Sequence, residues 1–272
     1  MFANLLLSAI KASVLAGDEI LKIYDSDFNV EYKSDASPLT AADKNAHNRI
    51  ADALDPLGIP LLSEEGRDIP YAERKNWKQL WIVDPLDGTK EFVKRNGEFT
   101  VNIALIENQQ PVLGVIYQPT TGLLYFGSRG TGSFKRSDCD TEEIKNTSLD
   151  ELMLRSDRLP QPHPSSSLRV LASRSHMNKE TSNYIETLGT KGKPVSLLNA
   201  GSSLKFCLIA EGKADLYPRF GPCSEWDTAA GQAIVECAGG KVIDFQTRLP
   251  LVYNRQDILN KAFLVTGSPL RE

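Results

Sequence analysis

The sequence is poor in the residues that staple or metallate small domains. It has four cysteines, Cys139, Cys207, Cys223 and Cys237, none in a Cys-x-x-Cys pair, and three histidines, His47, His163 and His176. No zinc-like spacing can be assembled from that set, and reduced thiols in an intracellular chain are the simplest reading. Also missing is any apolar run near the roughly 18 residues that a membrane span needs. The first twenty residues carry no basic leader, and Lys11 interrupts their apolar run, so they read as an amphipathic helix rather than a signal peptide. A cytoplasmic protein is the expectation. There is no basic surplus either: Lys and Arg total 31 against 35 Asp and Glu, a net charge of −4. That balance argues against a nucleic-acid polymer as partner. Small phosphorylated ligands stay compatible, because a local cluster of cations or metals binds them whatever the global charge.

What is present describes a globular chain. Its 272 residues suggest one large domain or two modest ones. Hydrophobic residues at 41% and charged residues at 24%, with a mean hydropathy of −0.28, exclude disorder, collagen-like repeats and coiled coil. Apolar residues Leu6, Ile10, Val14, Ile20 and Ile23 predict a helix over 2–24, and Thr40 with Asp43, spaced as N-cap and N3, opens a second helix through Leu54. Short strands are predicted at Ile59–Leu62 and Leu80–Val83, then a meander over 98–106, 111–117 and 123–127. The polar stretch 136–166 reads as a seam. Beyond it strands and helices alternate: strands at 169–172, 195–198, 214–217, 241–245 and 262–266, helices at 201–211 and 226–238. The expectation is an α+β half over 1–160 and an α/β half over 161–272, packed as one two-part unit.

The most informative segment is Trp81-Ile-Val-Asp84-Pro-Leu-Asp87-Gly-Thr89, an apolar strand running into a turn with two carboxylates and a hydroxyl. On its own a Pro-x-Asp-Gly turn explains it equally well. An aspartyl-phosphate motif, Asp-x-Asp, does not fit, because two residues separate these aspartates. Glu64-Glu65 follows the 59–62 strand, and Asp227 lies at the start of an apolar helix. Taken singly they read as a solvated loop and as a favourable charge at a helix N-terminus. Together, Glu64, Asp84, Asp87 and Asp227 are four carboxylates at the ends of core elements. Such an oxygen-only set suits Mg²⁺ or Mn²⁺ rather than zinc or copper. Two such ions would clamp a phosphoryl group and acidify water.

Glu64-Glu65, Asp84-Pro-Leu-Asp-Gly-Thr89 and Trp226-Asp-Thr-Ala-Ala230 resemble, in order and spacing, the signature of the lithium-sensitive, Mg²⁺-dependent phosphomonoesterases of the inositol monophosphatase superfamily. The resemblance runs over nearly the whole chain. It implies a layered αβαβα sandwich with the active site between the halves, and two or three Mg²⁺ ions. It implies Glu64, Asp84, the Leu86 carbonyl, Asp87 and Asp227 as metal ligands, with Glu65 supporting them from behind. Asp43, in Pro38-Leu-Thr-Ala-Ala-Asp43, matches the acidic residue that works with the motif threonine, here Thr89, to orient and deprotonate the attacking water. A cap of the second helix is the other reading of Asp43, and both can hold.

Three further segments bear on the substrate. Ser173-Arg-Ser-His176 opens a loop after a strand, Gly201-Ser-Ser-Leu-Lys205 is a strand-to-helix junction, and Tyr217-Pro-Arg219 puts a guanidinium at a strand exit. A basic turn, a cap by Ser202 or Ser203, and a lysine on a solvated helix face would account for these pieces without any ligand. A second anion site, however, suits a bisphosphorylated substrate. The segments resemble the bisphosphate nucleotidase branch of the superfamily, the bacterial CysQ type. That likeness implies His176 beside an adenosine and Ser202, Lys205 and Arg219 around the phosphate that does not react. Gly88, Thr89 and Asp227 complete the implied substrate contacts. It further implies hydrolysis of adenosine 3',5'-bisphosphate to AMP and phosphate in sulfate assimilation, and allows loose attachment to the inner face of a membrane. An inositol monophosphatase or broad sugar phosphatase is the alternative enzyme, a catalytically silent nucleotide sensor the alternative of another class. A monomer is favoured.

Overall fold

The computed structural model describes residues 2–26, 30–32, 38–161, 163–172, 177–189 and 194–268. In chain order the elements are α1 (Ala3–Tyr24), β1 (Val30–Tyr32), β2 (Pro38–Thr40), α2 (Ala41–Leu54), β3 (Leu61–Ser63), α3 (Tyr71–Arg74), β4 (Gln79–Asp87) and α4 (Thr89–Val93). There follow β5 (Thr100–Glu107), β6 (Gln110–Gln118), β7 (Leu123–Ser128), β8 (Gly132–Arg136), α5 (Thr141–Asn146), α6 (Leu149–Leu154) and β9 (Asp157–Leu159). The remainder comprises β10 (Leu168–Ala172), α7 (Lys179–Gly189), β11 (Val195–Asn199), α8 (Leu204–Glu211), β12 (Leu216–Arg219), α9 (Ala229–Cys237), β13 (Lys241–Asp244) and β14 (Phe263–Thr266).

Two main sheets organise these pieces. Strands β3 to β9 form a seven-stranded sheet in sequential order, parallel only at β3–β4. The other has five strands in the order β11-β10-β12-β14-β13. One face of the first sheet is covered by α1 and α2, which bury Leu6, Ile10, Val14, Ile20 and Ile50 against Trp81, Val83, Val101 and Tyr117. The opposite face meets α8 and α9, which also pack on the second sheet, so Ile116, Tyr125, Phe206, Ile234 and Phe263 share one core. On the far side of the second sheet α7 adds Tyr184, Ile185 and Leu188 against Val170, Leu216 and Leu264. The layers are therefore helix, sheet, helix, sheet, helix, as the sequence resemblance implies.

One glycine sets how closely the layers approach. A Cβ at Gly114 of β6 would lie 2.4 Å from the Ala230 carbonyl oxygen. The bare backbone there lets the first turn of α9 rest on the sheet, which carries the preceding Asp227 toward β4.

Several element boundaries differ from the sequence reading, each for a local reason. The strand expected at Leu80–Val83 runs to Asp87, because a bulge between Asp84 and Asp87 keeps the motif paired with β5 despite Pro85. The helices expected from Gly201 and Trp226 begin at Leu204 and Ala229, since the residues before them are held in turns by side-chain bonds. The short strand of the second half lies at 216–219 rather than 214–217, and so includes Arg219. The polar stretch 136–166 carries elements of its own. Ser148 and Glu151 form a capping box that starts α6, Asp140 caps α5, and β9 completes the first sheet. The expected pairing of Thr40 with Asp43 falls on a Thr40 side chain outside the described residues. The four cysteines are free. No helix among the described residues is long and apolar enough to cross a membrane.

Candidate active site

Two neighbouring parallel strands start the site. The register Leu61↔Trp81, Leu62↔Ile82, Ser63↔Val83 sets the end of β3 beside the middle of β4. The Glu64 amide continues the ladder by donating to the Val83 carbonyl at 3.2 Å, which seats Glu64 next to Asp84. In an unbroken strand Asp84 and Asp87, three residues apart, would face opposite sides of the sheet. Their partners on β5 are Asn102 and Thr100, so β4 has one residue more than β5 between the two pairs. That bulge turns Asp87 back toward the Asp84 side. Leu86 lies in the bulge, buried, with its amide donating to Asp84 Oδ1 at 3.1 Å.

Asp227 arrives from the other half. Its turn precedes α9, and the Ser224 amide donates to its Oδ2 at 2.8 Å. One carboxylate oxygen from each of Glu64, Asp84 and Asp227 lies within 4.8 Å of the others. Asp84 is 1% exposed. Burial drives its pKa well above the usual carboxylate value, and Glu64, Asp87, Asp227 and Asp43 push it in the same direction. Asp227 is raised to about 6 by burial and by Asp87, against the Ser224 amide, Cys223 and Arg219. Burial of acids that also repel one another, in a donor set made only of oxygen, is what a hard divalent cation relieves. The residues fit Mg²⁺ or Mn²⁺.

Asp43 sits on the buried face of α2 beside Ala42 and Ala46, near enough to Asp84 to raise it. Thr89 is the first residue of α4, immediately after Gly88. Gly88 has φ +96°, and a Cβ there would stand 2.1 Å from Ser202 Oγ, so only glycine fits this turn.

A cleft of about 370 Å³ is lined by Asp87, Thr89, Asp227, Ser202, Lys205 and Arg219, while Glu64 and Asp84 lie outside its lining. Lys205 does not occupy a solvated helix face. It is 5% exposed, its Nζ donates to the carbonyls of Ser202 at 2.7 Å and Ala200 at 3.3 Å, and it lies 5.5 Å from the Tyr217 ring centroid. Burial lowers its pKa, with Asp87 opposing and Arg219 adding. Arg219 donates through Nη2 to the Pro222 carbonyl at 2.9 Å, while its buried Nε has no protein partner. The serines do not cap α8. Ser202, at φ +44°, donates to the Asp87 carbonyl at 2.9 Å and also reaches that of Glu98 at 2.7 Å. Ser203 serves Asp87 Oδ2 at 2.7 Å. His176 lies outside the described residues. Glu65 acts electrostatically on His47, whose Nδ1 is 2.9 Å from Ser63 Oγ at the end of β3.

Sequence reasoning passed over several residues of this site. Asn102 and Thr100 of β5 stand opposite the motif, and the signal available was an asparagine inside the apolar run Val101-Asn-Ile-Ala-Leu. Lys90 and Lys94, one turn apart at α4, also line the cleft.

Residues 3–269 match the model of the inositol monophosphatase family. The chain is 46% identical over 256 residues to the 3'(2'),5'-bisphosphate nucleotidase CysQ of Salmonella typhimurium, covering 92% of this chain and 95% of that protein. With the enzyme of the same name from Haemophilus influenzae the identity is 32% over 269 residues, covering 97% and 93%. Among solved structures, CysQ from Bacteroides thetaiotaomicron, a bacterial member of the inositol monophosphatase family, superposes with a TM-score of 0.92 at 48% identity over 98% of each chain.

Proposed function

Since the chain belongs to the inositol monophosphatase family and within it to the CysQ type, we propose that it is a Mg²⁺-dependent nucleotidase that removes the 3'-phosphate of adenosine 3',5'-bisphosphate. It is an enzyme, a phosphoric monoester hydrolase. The observation that carries the finer reading is one juxtaposition. Three carboxylates converge, Glu64, Asp84 and Asp227, and the last of them lines a cleft that Lys205 and Arg219 also line. One group of residues suits divalent cations and the other suits a second phosphate.

Glu64, Asp84, Asp87, Asp227 and the Leu86 carbonyl hold the metal, two or three ions in all. A divalent cation, when bound, supplies Lewis acidity toward the phosphoryl group and acidifies water within its reach. Asp43 accepts the proton of the attacking water, and the Thr89 hydroxyl orients that water for in-line attack on phosphorus. Gly88 leaves space for the phosphoryl oxygens, because no Cβ intrudes at the turn. Arg219 offers its buried Nε and Lys205 its ammonium to the phosphate that stays behind. His176 belongs beside the adenosine in this reading, the role that the resemblance of Ser173-Arg-Ser-His176 implies. No carboxylate becomes phosphorylated: water attacks directly and AMP leaves with its 5'-phosphate intact. A role in sulfate assimilation follows from this substrate.

Phosphate release from adenosine 3',5'-bisphosphate and from inositol 1-phosphate, measured side by side with Mg²⁺ and with excess chelator, tests the reading. A kcat/KM preference for the bisphosphate that vanishes in chelator is expected. Preference for inositol 1-phosphate overturns the substrate, and full turnover in chelator overturns the metal.

A further inference from the structure

Next in the chain to the Asp227 turn lies a buried polar network that includes none of the cleft-lining residues and that the reaction chemistry does not use. Its centre is Glu225, fully buried two residues before Asp227. Its Oε2 accepts from the Asn254 amide at 2.7 Å, and its Oε1 accepts from the Arg255 amide at 3.0 Å and Arg255 Nε at 3.1 Å. Asn254 has φ +61° and is 2% exposed. Its side chain exchanges a reciprocal pair of bonds with Arg74: Arg74 Nη1 donates to Oδ1 at 2.9 Å, and Nδ2 donates to the Arg74 carbonyl at 2.8 Å. Arg74, 4% exposed, donates also to the carbonyls of Arg255 at 2.7 Å and Ile69 at 3.3 Å.

The two ends of this network matter. Arg74 closes the segment that leaves β3 through Glu64, and Glu225 opens the turn that presents Asp227. The turn is gripped from the same loop a second time: the Asn260 amide donates to the Cys223 carbonyl, and its Nδ2 to the Ser224 carbonyl at 2.8 Å. Glu64 and Asp227 repel each other and Asp84, so without restraint their segments would separate. A buried ionic cluster adds little net stability compared with apolar packing, but it admits one geometry. Groups that orient metal ligands from behind contribute about 10- to 100-fold in metal affinity.

We infer that Arg74, Asn254 and Glu225 form a positioning relay that holds the Glu64 segment and the Asp227 turn at the separation a divalent cation requires. The relay rests on the reading of Glu64, Asp84 and Asp227 as a metal centre. Its three residues touch neither substrate nor cation.

The test is Mg²⁺ binding by titration calorimetry, without substrate, to the parent protein and to Asn254→Gly. Glycine tolerates the positive φ and keeps the amide bond to Glu225, so only the bridge to Arg74 is lost. Mg²⁺ affinity falls about 10- to 100-fold, while kcat at saturating Mg²⁺ and KM for substrate are retained. Asn254→Asp keeps the acceptor for Arg74 and recovers part of the affinity. It also carries the comparison if the glycine variant does not fold. Parental Mg²⁺ affinity in a folded, less stable Asn254→Gly protein overturns the relay and leaves a scaffold contact. A parent protein that binds no Mg²⁺ overturns the metal centre itself, and the relay with it.

Discussion

The hydroxyl of Ser203 lies 2.7 Å from Asp87 Oδ2, joining the junction before α8 to the end of β4. The bond ends a directional chain. Thr100 Oγ1 donates to Asn102 Oδ1 at 3.0 Å, and Asn102 Nδ2 donates to Ser203 Oγ at 2.9 Å. Because an amide nitrogen can only donate, the single Ser203 proton is left for Asp87 Oδ2 or, at 3.1 Å, for the Asp227 carbonyl. The shorter contact goes to the carboxylate. Asp87 thus has one oxygen fixed by protein, and it stands outside the group of three carboxylates that converge.

Removing that donor is expected to weaken the site without unfolding it. Ser203→Ala deletes one hydrogen bond to a charged group, worth about 1.5–3 kcal/mol. The expected result is a higher Mg²⁺ concentration for half-maximal activity and a loss of roughly 10- to 150-fold in kcat/KM at fixed low Mg²⁺. Ser203→Thr retains the hydroxyl and is milder. Mg²⁺ titrations of initial rate on the three proteins decide it, and an unchanged titration for Ser203→Ala removes the role.

How far the site was legible in the sequence depended on which interaction carried it. Glu64, Asp84 and Asp227 could be gathered because each stands at the end of an apolar element, and the structure brings those three together. The layered fold was legible through the resemblance of the acidic segments to a family, while spacing gave the individual helices α1 and α9. Ser203 was not legible as a support for Asp87, because a serine before a helix has a local explanation in capping, and register across 116 residues leaves no local mark. Nor was the Arg74–Asn254 pair, 180 residues apart. For Lys205, expected at the second phosphate, the ligand-free alternative of a solvated face stayed open because helical spacing alone does not show that most of α8 is buried.

The raised carboxylates make a linkage prediction. Asp227 holds its proton up to about 6 in the folded protein, and Asp84 is raised in the same sense, mainly by burial. A folded-state value above the unfolded one gives stability that is complete below the unfolded value and lost as pH rises through the folded value. Metal-free protein is therefore expected to lose Tm between about pH 4 and pH 7 from these groups. Mg²⁺ replaces the lost protons, so its stabilising shift is larger at pH 8 than at pH 5. Differential scanning calorimetry with chelator and with Mg²⁺ at both values checks this; equal shifts would count against charge repulsion at the site.

A second buried acid has the opposite sign. Glu211, at the end of α8, is pushed up by burial but pulled down further by Lys213, Tyr125 and Lys135, so its pKa falls below the usual value. Lys135 Nζ at 2.9 Å and Tyr125 Oη at 2.7 Å belong to the first sheet, so this carboxylate fastens the layers together. Its contribution is present above the unfolded value and lost as pH falls through the folded one. Glu211→Gln leaves a largely buried Lys135 without its counter-charge and is expected to cost about 2–4 kcal/mol in urea unfolding at pH 7. The difference from the parent should shrink toward pH 4. Glu211 does not line the cleft, so kcat is retained; a loss of kcat in folded Glu211→Gln would contradict a purely structural role.

The choice of substrate turns on Lys205, and the structure sharpens the experiment. Its ammonium holds the carbonyls of Ala200 and Ser202, so truncation loosens the junction that carries Ser202 and Ser203. Lys205→Ala should therefore reduce activity somewhat on every substrate. If the ammonium also binds the phosphate that does not react, a further loss appears only when that phosphate is present. A charged hydrogen bond of about 1.5–3 kcal/mol predicts an additional 10- to 150-fold fall in kcat/KM on adenosine 3',5'-bisphosphate beyond the fall on a 3'-monophosphate. Much of it lies in KM, because the contact is the same in the ground and transition states. Lys205→Met separates the two effects by keeping the buried stem while deleting the charge. Equal losses on both substrates would reduce Lys205 to a loop anchor and leave Arg219, with its unpartnered Nε, as the residue to test for the second phosphate.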